Sequence, residues 1–350
     1  MKISITENIS KDIIAGASIF STGGGFEYSA QLKKLPGIFA KNSKINLLSV
    51  DELSDDDYIC TAYGVGSASN TDVDLSQALA KGFEVMKSIT RKNFKGIFAG
   101  ETNIEALVFQ TSRAAGLPVI DADCTGGRAV PEIQFDNLFV AGKNIVPLVA
   151  VTMKGEVAVL MEAANPDFIE KFVRNIAVIT GDSVAVIDHP MSVRDAKKYL
   201  TLGIFTRSRK IGKVIRSKNV SLRKKIDFII KLTSAKKIID GVVSEISLNS
   251  EKGFLEGTVN IQSDDNSQAV IHIKNESLVC ELNKKVIVTI PDLITMIDAE
   301  TGFGVHNSKI KKGQRIIVVG IPASDLWRSK AGVSRFNPRK MQLPFKTKLI

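Results

Sequence analysis

The densest run of chemically capable residues is Asp121-Ala122-Asp123-Cys124-Thr125-Gly126-Gly127-Arg128-Ala129-Val130-Pro131-Glu132. On an extended backbone, side chains two apart point the same way, so Asp121 and Asp123 are placed to share a divalent metal ion or a proton. Two close carboxylates repel, and the repulsion lifts one of them towards the range of a working acid or base. The competing reading is a turn whose aspartates cap the next element while Arg128 pairs with one of them. Cys124 could be a nucleophile, but His189, His272 and His306 are isolated and remote in sequence, so no Cys-His dyad is expected. Glu101, in Gly100-Glu101-Thr102-Asn103, is a third candidate catalytic carboxylate. Asn103 either contacts a ligand at the same rim or caps the helix that follows.

Three other segments are built to approach a ligand. Thr22-Gly23-Gly24-Gly25 can bring backbone N–H groups close to an anion or a carbonyl, because glycine adopts positive φ and carries no side chain. The run is neither a Walker loop nor a dinucleotide fingerprint, since the Gly-Lys-Ser/Thr ending and the G-x-G-x-x-G spacing are both missing; a plain tight turn is the alternative. Gly64-Val65-Gly66-Ser67 follows an apolar run where a parallel sheet places its binding loops. Asn275-Glu276 and Pro291-Asp292 interrupt apolar strands and could reach a cleft between domains.

The elements that must position these residues follow from periodicity. Short β-branched runs at 45–50, 58–62, 96–99 and 119–121 alternate with helical patterns at 75–89 and 104–115. The second helix closes on Gly116-Leu117-Pro118, and Asp72 or Asp74 is the expected cap of the first. Asn165-Pro166 starts another helix, and 195–202 and 222–232 read as two more. After residue 238 short strands dominate. The expectation is an α/β N-terminal domain with a mostly parallel sheet over 1–165, then a helical connector and a β-rich α+β C-terminal domain over 166–350.

At 350 residues, 44% hydrophobic and 24% charged, the chain is globular in composition and longer than a single core usually grows. Its net charge of +10 is local. Residues 194–237 hold 15 Lys and Arg against Asp195 and Asp227, a surplus of 13, which leaves the rest of the chain at −3. A solvated connector face explains that segment better than a nucleic-acid footprint, for no stacking-aromatic or zinc-finger motif accompanies it. Cys60, Cys124 and Cys280 are too few and too scattered for a disulfide framework, and no apolar stretch is long enough to span a bilayer. A cytoplasmic protein without membrane or nucleic-acid partners, acting on a small molecule and forming homo-oligomers, is the expected setting.

The motifs also occur in a recognisable order. S-T-G-G-G at 21–25, V-D-E-L-S-D-D-D at 50–57, G-L-P-V-I-D-A-D at 116–123 with G-R-A-V-P-E-I-Q at 127–134, K-N-E-S-L-V at 274–279 and P-D-L-I-T-M-I-D-A-E-T-G at 291–302 together resemble the S-methyl-thiohydantoin desulfurase-like family. The resemblance runs from Ile13 to about Arg339 and implies hydrolysis at a thiohydantoin-type ring, in the company of hydantoin-utilisation enzymes. It implies site segments at Thr22 to Gly25, Gly100 to Asn103, Asp121 to Glu132, Asn275-Glu276 and Pro291-Asp292. The chain departs from the family at Phe26-Glu27, Ser67-Ala68, Glu101 and residues 336–339. The leading expectation is a hydrolase using Asp121, Asp123 and Glu101 as catalytic carboxylates, with Thr22, Gly23, Gly24, Gly25, Ser67, Asn103, Arg128, Asn275 and Glu276 around the substrate. A divalent metal ion held by Asp121 and Asp123 would be its cofactor. The alternative is a ligand-binding or accessory subunit of a hydantoinase-type enzyme.

Overall fold

The computed structural model describes residues 3–66, 74–251 and 254–350; Ser67, Ala68 and Asp72 lie outside them. The first sheet is built from β1 (Ile3–Ile5), β2 (Ile45–Leu48), β3 (Tyr58–Val65), β4 (Phe94–Ala99), β5 (Val119–Asp123), β6 (Leu148–Thr152), β7 (Val157–Leu160), β8 (Val184–Ser192) and the short β9 (Thr201–Leu202). Their spatial order is β1-β2-β5-β4-β3-β8-β6-β7, with β9 beside β5. The central strands β2, β5, β4 and β3 run parallel and the flanking strands are antiparallel, a mixed, largely parallel sheet. Helices α1 (Glu7–Phe20), α2 (Tyr28–Ile38), α3 (Ser76–Thr90), α4 (Glu105–Ala115), α5 (Asn137–Val140), α6 (Pro166–Thr180) and α7 (Val193–Tyr199) accompany it.

Beyond α8 (Ile204–Ile215) and α9 (Leu222–Thr233) the chain forms an antiparallel sheet of β10 (Lys236–Glu251), β11 (Phe254–Gln262), β12 (Gln268–Lys274), β13 (Glu276–Leu282), β14 (Lys285–Thr289), β15 (Leu293–Asp298) and β16 (Arg315–Ile321). The order β14-β13-β12-β11-β10-β16-β15 curls so that β13 packs near β15. The short helices α10 (Asp325–Arg328) and α11 (Lys330–Arg335) close the chain. The α/β then β-rich organisation is the one the periodicity predicts. The first sheet nevertheless draws on both sides of residue 165, because β8 and β9 belong to it.

Local signals explain several boundaries. Asn165 caps α6 by accepting from Phe168 N–H at 2.9 Å, and Gly116 and Gly181 end α4 and α6 with φ of 66° and 69°. Asn103 does not cap α4: its amide donates to the carbonyls of Gly24 and Phe26 at 2.8 and 2.9 Å, so it clamps the glycine run instead.

The two halves are fastened where α1 crosses α8. A Cβ on Gly16 would sit 1.8 Å from the Ser208 carbonyl oxygen, and one on Gly212 would sit 1.7 Å from that of Asp12. Only glycine permits backbones this close. Part of the basic segment has internal partners as well: Arg194 meets Asp56 at 3.0 Å, Lys197 meets Asp55 at 2.7 Å, and Arg216 pairs with Asp12. No helix among the described residues is long and apolar enough to cross a membrane.

Candidate active site

The carboxyl ends of β3, β4 and β5 open on a cavity, where a parallel sheet gathers its functional loops. It holds about 1200 Å³ of empty space, part of it continuous with solvent. Gly66, Gly100-Glu101 and Cys124-Thr125 come to it from the three strand ends, Gly24 and Gly25 from the end of α1, and Asn275-Glu276 from the β12–β13 turn of the second sheet. The expected convergence of the glycine run with the loop after β5 and with Asn275-Glu276 is thus present.

One contributor could not be placed from sequence. Along β8, Met191 pairs with Ile59 and Asp188 with Thr61, so three steps of β8 match two of β3. This bulge turns His189 inward at a φ of 54°. Its Nδ1 lies 2.6 Å from Asp188 Oδ1 and its Nε2 lies 3.0 Å from Asp136 Oδ2, while Tyr63 donates its hydroxyl to the other Asp188 oxygen at 2.6 Å. Burial alone would lower the His189 pKa; the Asp188 and Asp136 carboxylates outweigh it and hold the ring cationic, at about 10. Beside it, Cys124 donates its thiol to the Gly100 carbonyl at 2.9 Å. Burial, reinforced by Asp136, pushes that thiol well above its usual range, so it is not a thiolate awaiting a substrate. Cys124 and His189 do meet in the fold, against the sequence expectation, as a buried cluster with Asp136 whose donor atoms lie within 4.8 Å of one another.

Two cavity carboxyls face a different environment. Glu101 accepts from Val130 N–H at 2.8 Å, and desolvation lifts its pKa to about 8. Glu276 is 2% exposed, and burial together with the negative field of Glu101 pushes it well above the carboxylate range. Its Oε2 has no hydrogen-bond partner among the described residues. Gly24 makes room for it, since a Cβ there would stand 2.0 Å from Glu276 Oε1. His306, kept neutral by burial, donates Nε2–H to the Gly25 carbonyl at 3.1 Å and so holds the glycine turn from the second sheet's side.

The other expected site residues support the cavity without lining it. Asp121 accepts from Phe205 N–H at 2.7 Å and from the Thr206 hydroxyl, holding the start of α8. Asp123 accepts from Gly127 N–H at 2.9 Å and the Thr102 hydroxyl at 3.1 Å, which folds the 124–128 turn. The two carboxylates do share one side of β5, as their spacing requires, but that side faces structural donors. Arg128 is buried with its guanidinium 4.8 Å above the Phe336 ring and donates to the Ala129 carbonyl at 3.1 Å and to that of Pro291. Thr22 is fully buried and gives its carbonyl to Ser277 N–H at 2.8 Å, and Gly23 packs on Asn307. Asp121→Ala is therefore expected to cost about 1–2 kcal/mol of stability, the usual worth of a helix cap, with activity per folded molecule unchanged. Chemical denaturation alongside a turnover assay on the same preparation checks both.

Residues 9–162 match the family model described as S-Me-THD-like, N-terminal domain, and residues 164–349 match S-Me-THD-like, C-terminal domain. No curated protein matches the chain. An X-ray structure of a protein from Chromobacterium violaceum, a structural-genomics target, superimposes with a TM-score of 0.84 at 18% identity, covering 99% of each chain. At that identity the likeness is one of fold.

Proposed function

Because this chain belongs to the S-Me-THD-like family over both of its domains, we propose that it hydrolyses a small S-alkylated thiohydantoin-type ring, with Glu101 as general base and Glu276 as general acid. One observation carries the assignment: a single cavity presents two carboxyls in different surroundings, half-buried Glu101 accepting from Val130 N–H, which favours its charged form, and buried Glu276 with an oxygen that no donor among the described residues reaches, which favours its protonated form. Such a split assigns the base and the acid.

In this reading a water molecule beside Glu101 attacks the ring carbon that lies between the two nitrogens and bears sulfur. Glu101 takes one proton from the water as Glu276 gives its own to the ring nitrogen. The tetrahedral adduct then collapses. The carbon–sulfur bond breaks, the leaving sulfur takes the proton held by Glu101, and the hydroxyl proton returns to Glu276. Water and the substituted ring become a hydantoin-type ring and a thiol, and both carboxyls end as they began. The bare Oε2 of Glu276 is the atom suited to the ring nitrogen. The apolar side chains of Val65, Leu75, Ile104 and Ile133 limit competing water.

Thiol release from an S-methyl-thiohydantoin tests the reaction directly. Continuous release in the presence of the protein is the expected result; saturable binding without release would replace the enzyme by the ligand-binding or accessory reading. Gly24→Ala should lower turnover on the order of tenfold or more, because its new methyl displaces the Glu276 carboxyl. Its denaturation midpoint should fall by less than that of Gly212→Ala, since the three nearest atoms, Oε1, Cδ and Cγ at 2.0, 2.7 and 2.8 Å, all belong to the Glu276 side chain and none to the backbone.

A further inference from the structure

The inner end of the cavity holds three donors that the base–acid pair does not use. We propose that Cys124, Asp136 and His189 form a metal site for a zinc-type divalent ion, with a fourth position open to the cavity. All three residues are 2% exposed, all line the cavity, and one ligand atom from each lies within 4.8 Å of the other two.

The donor set chooses the class of ion. A thiol sulfur with an imidazole nitrogen suits zinc and its neighbours rather than magnesium or calcium, which take oxygen ligands. Three protein ligands with one position left for water or substrate is the arrangement of working zinc centres, with bonds of roughly 2.0–2.3 Å. Donors around such an ion stand roughly 3–4 Å apart, so the 3.0 Å between His189 Nε2 and Asp136 Oδ2 needs only a small opening.

The surrounding groups fit the same role. A metal-bound histidine characteristically gives its other N–H to a carboxylate, which fixes the ring and the tautomer. Here Nδ1 is engaged by Asp188 at 2.6 Å, and Asp188 is itself held by the Tyr63 hydroxyl at 2.6 Å, leaving Nε2 to face Asp136. Charge is conserved as well. Both ring nitrogens of His189 face carboxylate oxygens and therefore carry hydrogens, and Cys124 donates its own to the Gly100 carbonyl. A divalent cation replacing the Nε2 and sulfur protons leaves the net charge of the cluster unchanged. The backbone of His189, held at a φ of 54° on the bulge, is the kind of conformation that persists where a site demands it. A thiophilic ion at this point would bind water or the sulfur of a substrate.

The site stands apart from the ring-hydrolysis reading, and its test does not use turnover. Chelator-treated protein is equilibrated with Zn²⁺ or Co²⁺ alone, desalted and analysed for metal. The expected result is one ion per chain, with a sulfur-to-metal charge-transfer band in the Co²⁺ form. Cys124→Ser should abolish that band, and Asp188→Asn should keep it while weakening affinity by roughly 10–100-fold. Absence of stoichiometric uptake by the parent protein would overturn the proposal, as would an unchanged Co²⁺ spectrum in Cys124→Ser, with far-ultraviolet circular dichroism confirming the fold. Uptake without thiol release would sink ring hydrolysis and leave the metal site standing; release by protein that takes up no metal would do the reverse.

Discussion

Gly212→Ala should lower the stability of the protein by about 3 kcal/mol or more, at the upper end of what overpacking usually costs. The added Cβ would stand 1.7 Å from the Asp12 carbonyl oxygen and 2.7 Å from Gly16 N, and both are backbone atoms that cannot swing aside. Alanine is the better helix former by up to about 1 kcal/mol, so the collision must exceed that gain before any loss is seen. Gly37→Ala supplies the comparison: Gly37 is exposed in α2 and a Cβ there meets nothing within 4 Å. It should raise stability by up to about 1 kcal/mol. Urea midpoints of the two variants, moving in opposite directions from the parent, are the measurement; equal midpoints would show that α1 and α8 can part without cost.

Glu101→Gln should reduce kcat/KM on the order of a hundredfold, the usual worth of a general base. In the parent the rate should climb as pH passes through about 8, where Glu101 loses its proton. The variant should lose that rise. Stability should respond in the opposite sense. The folded pKa of about 8 lies above the unfolded value of 4.5, so the contribution of Glu101 is fully present below pH 4.5 and is lost as pH rises through 8. Above that pH the variant, which has no charge to bury, should resist denaturant better than the parent. Were Glu101 only the acceptor that holds Val130 N–H, the amide oxygen of glutamine would serve as well, and turnover with its pH profile would survive.

Where the sequence carried a local cause, it was legible. The Asn165-Pro166 start and the Gly116 stop depend on groups within four residues, and both are found as read. The spacing of Asp121 and Asp123 correctly placed them on one side of β5 but could not say which side met the cavity. Cys124, one step further along, faces the cavity and stands among the metal-capable donors. Asn103 has the residue type of a cap, yet its partners, Gly24 and Phe26, come from nearly eighty residues away. β13 and β15 carry no alternation to read, because their first five residues are all buried, which removes the pattern that marks a half-exposed strand. The approach of His189 to Cys124 needed a bulge and a strand pairing that no local pattern encodes.

The position of β8 also dictates an order of events during synthesis. β3 and β6 do not pair with each other; β8, made later, is inserted between them. When only the first 165 residues have emerged from a ribosome, β3 has an open edge, the β6–β7 hairpin has no strand to dock on, and the ring of His189 has not yet been made. Chains usually fold domain by domain as they appear, but this first sheet must wait for residue 192 to complete β8 and for residue 202 to add β9, and α1 must wait for α8 before Gly16 finds its partner. A nascent first half therefore lacks His189, Glu276 and His306, and with them one wall of the cavity. It carries an unpaired strand edge until the second half arrives, the interval in which the chain is most open to pairing with a neighbour.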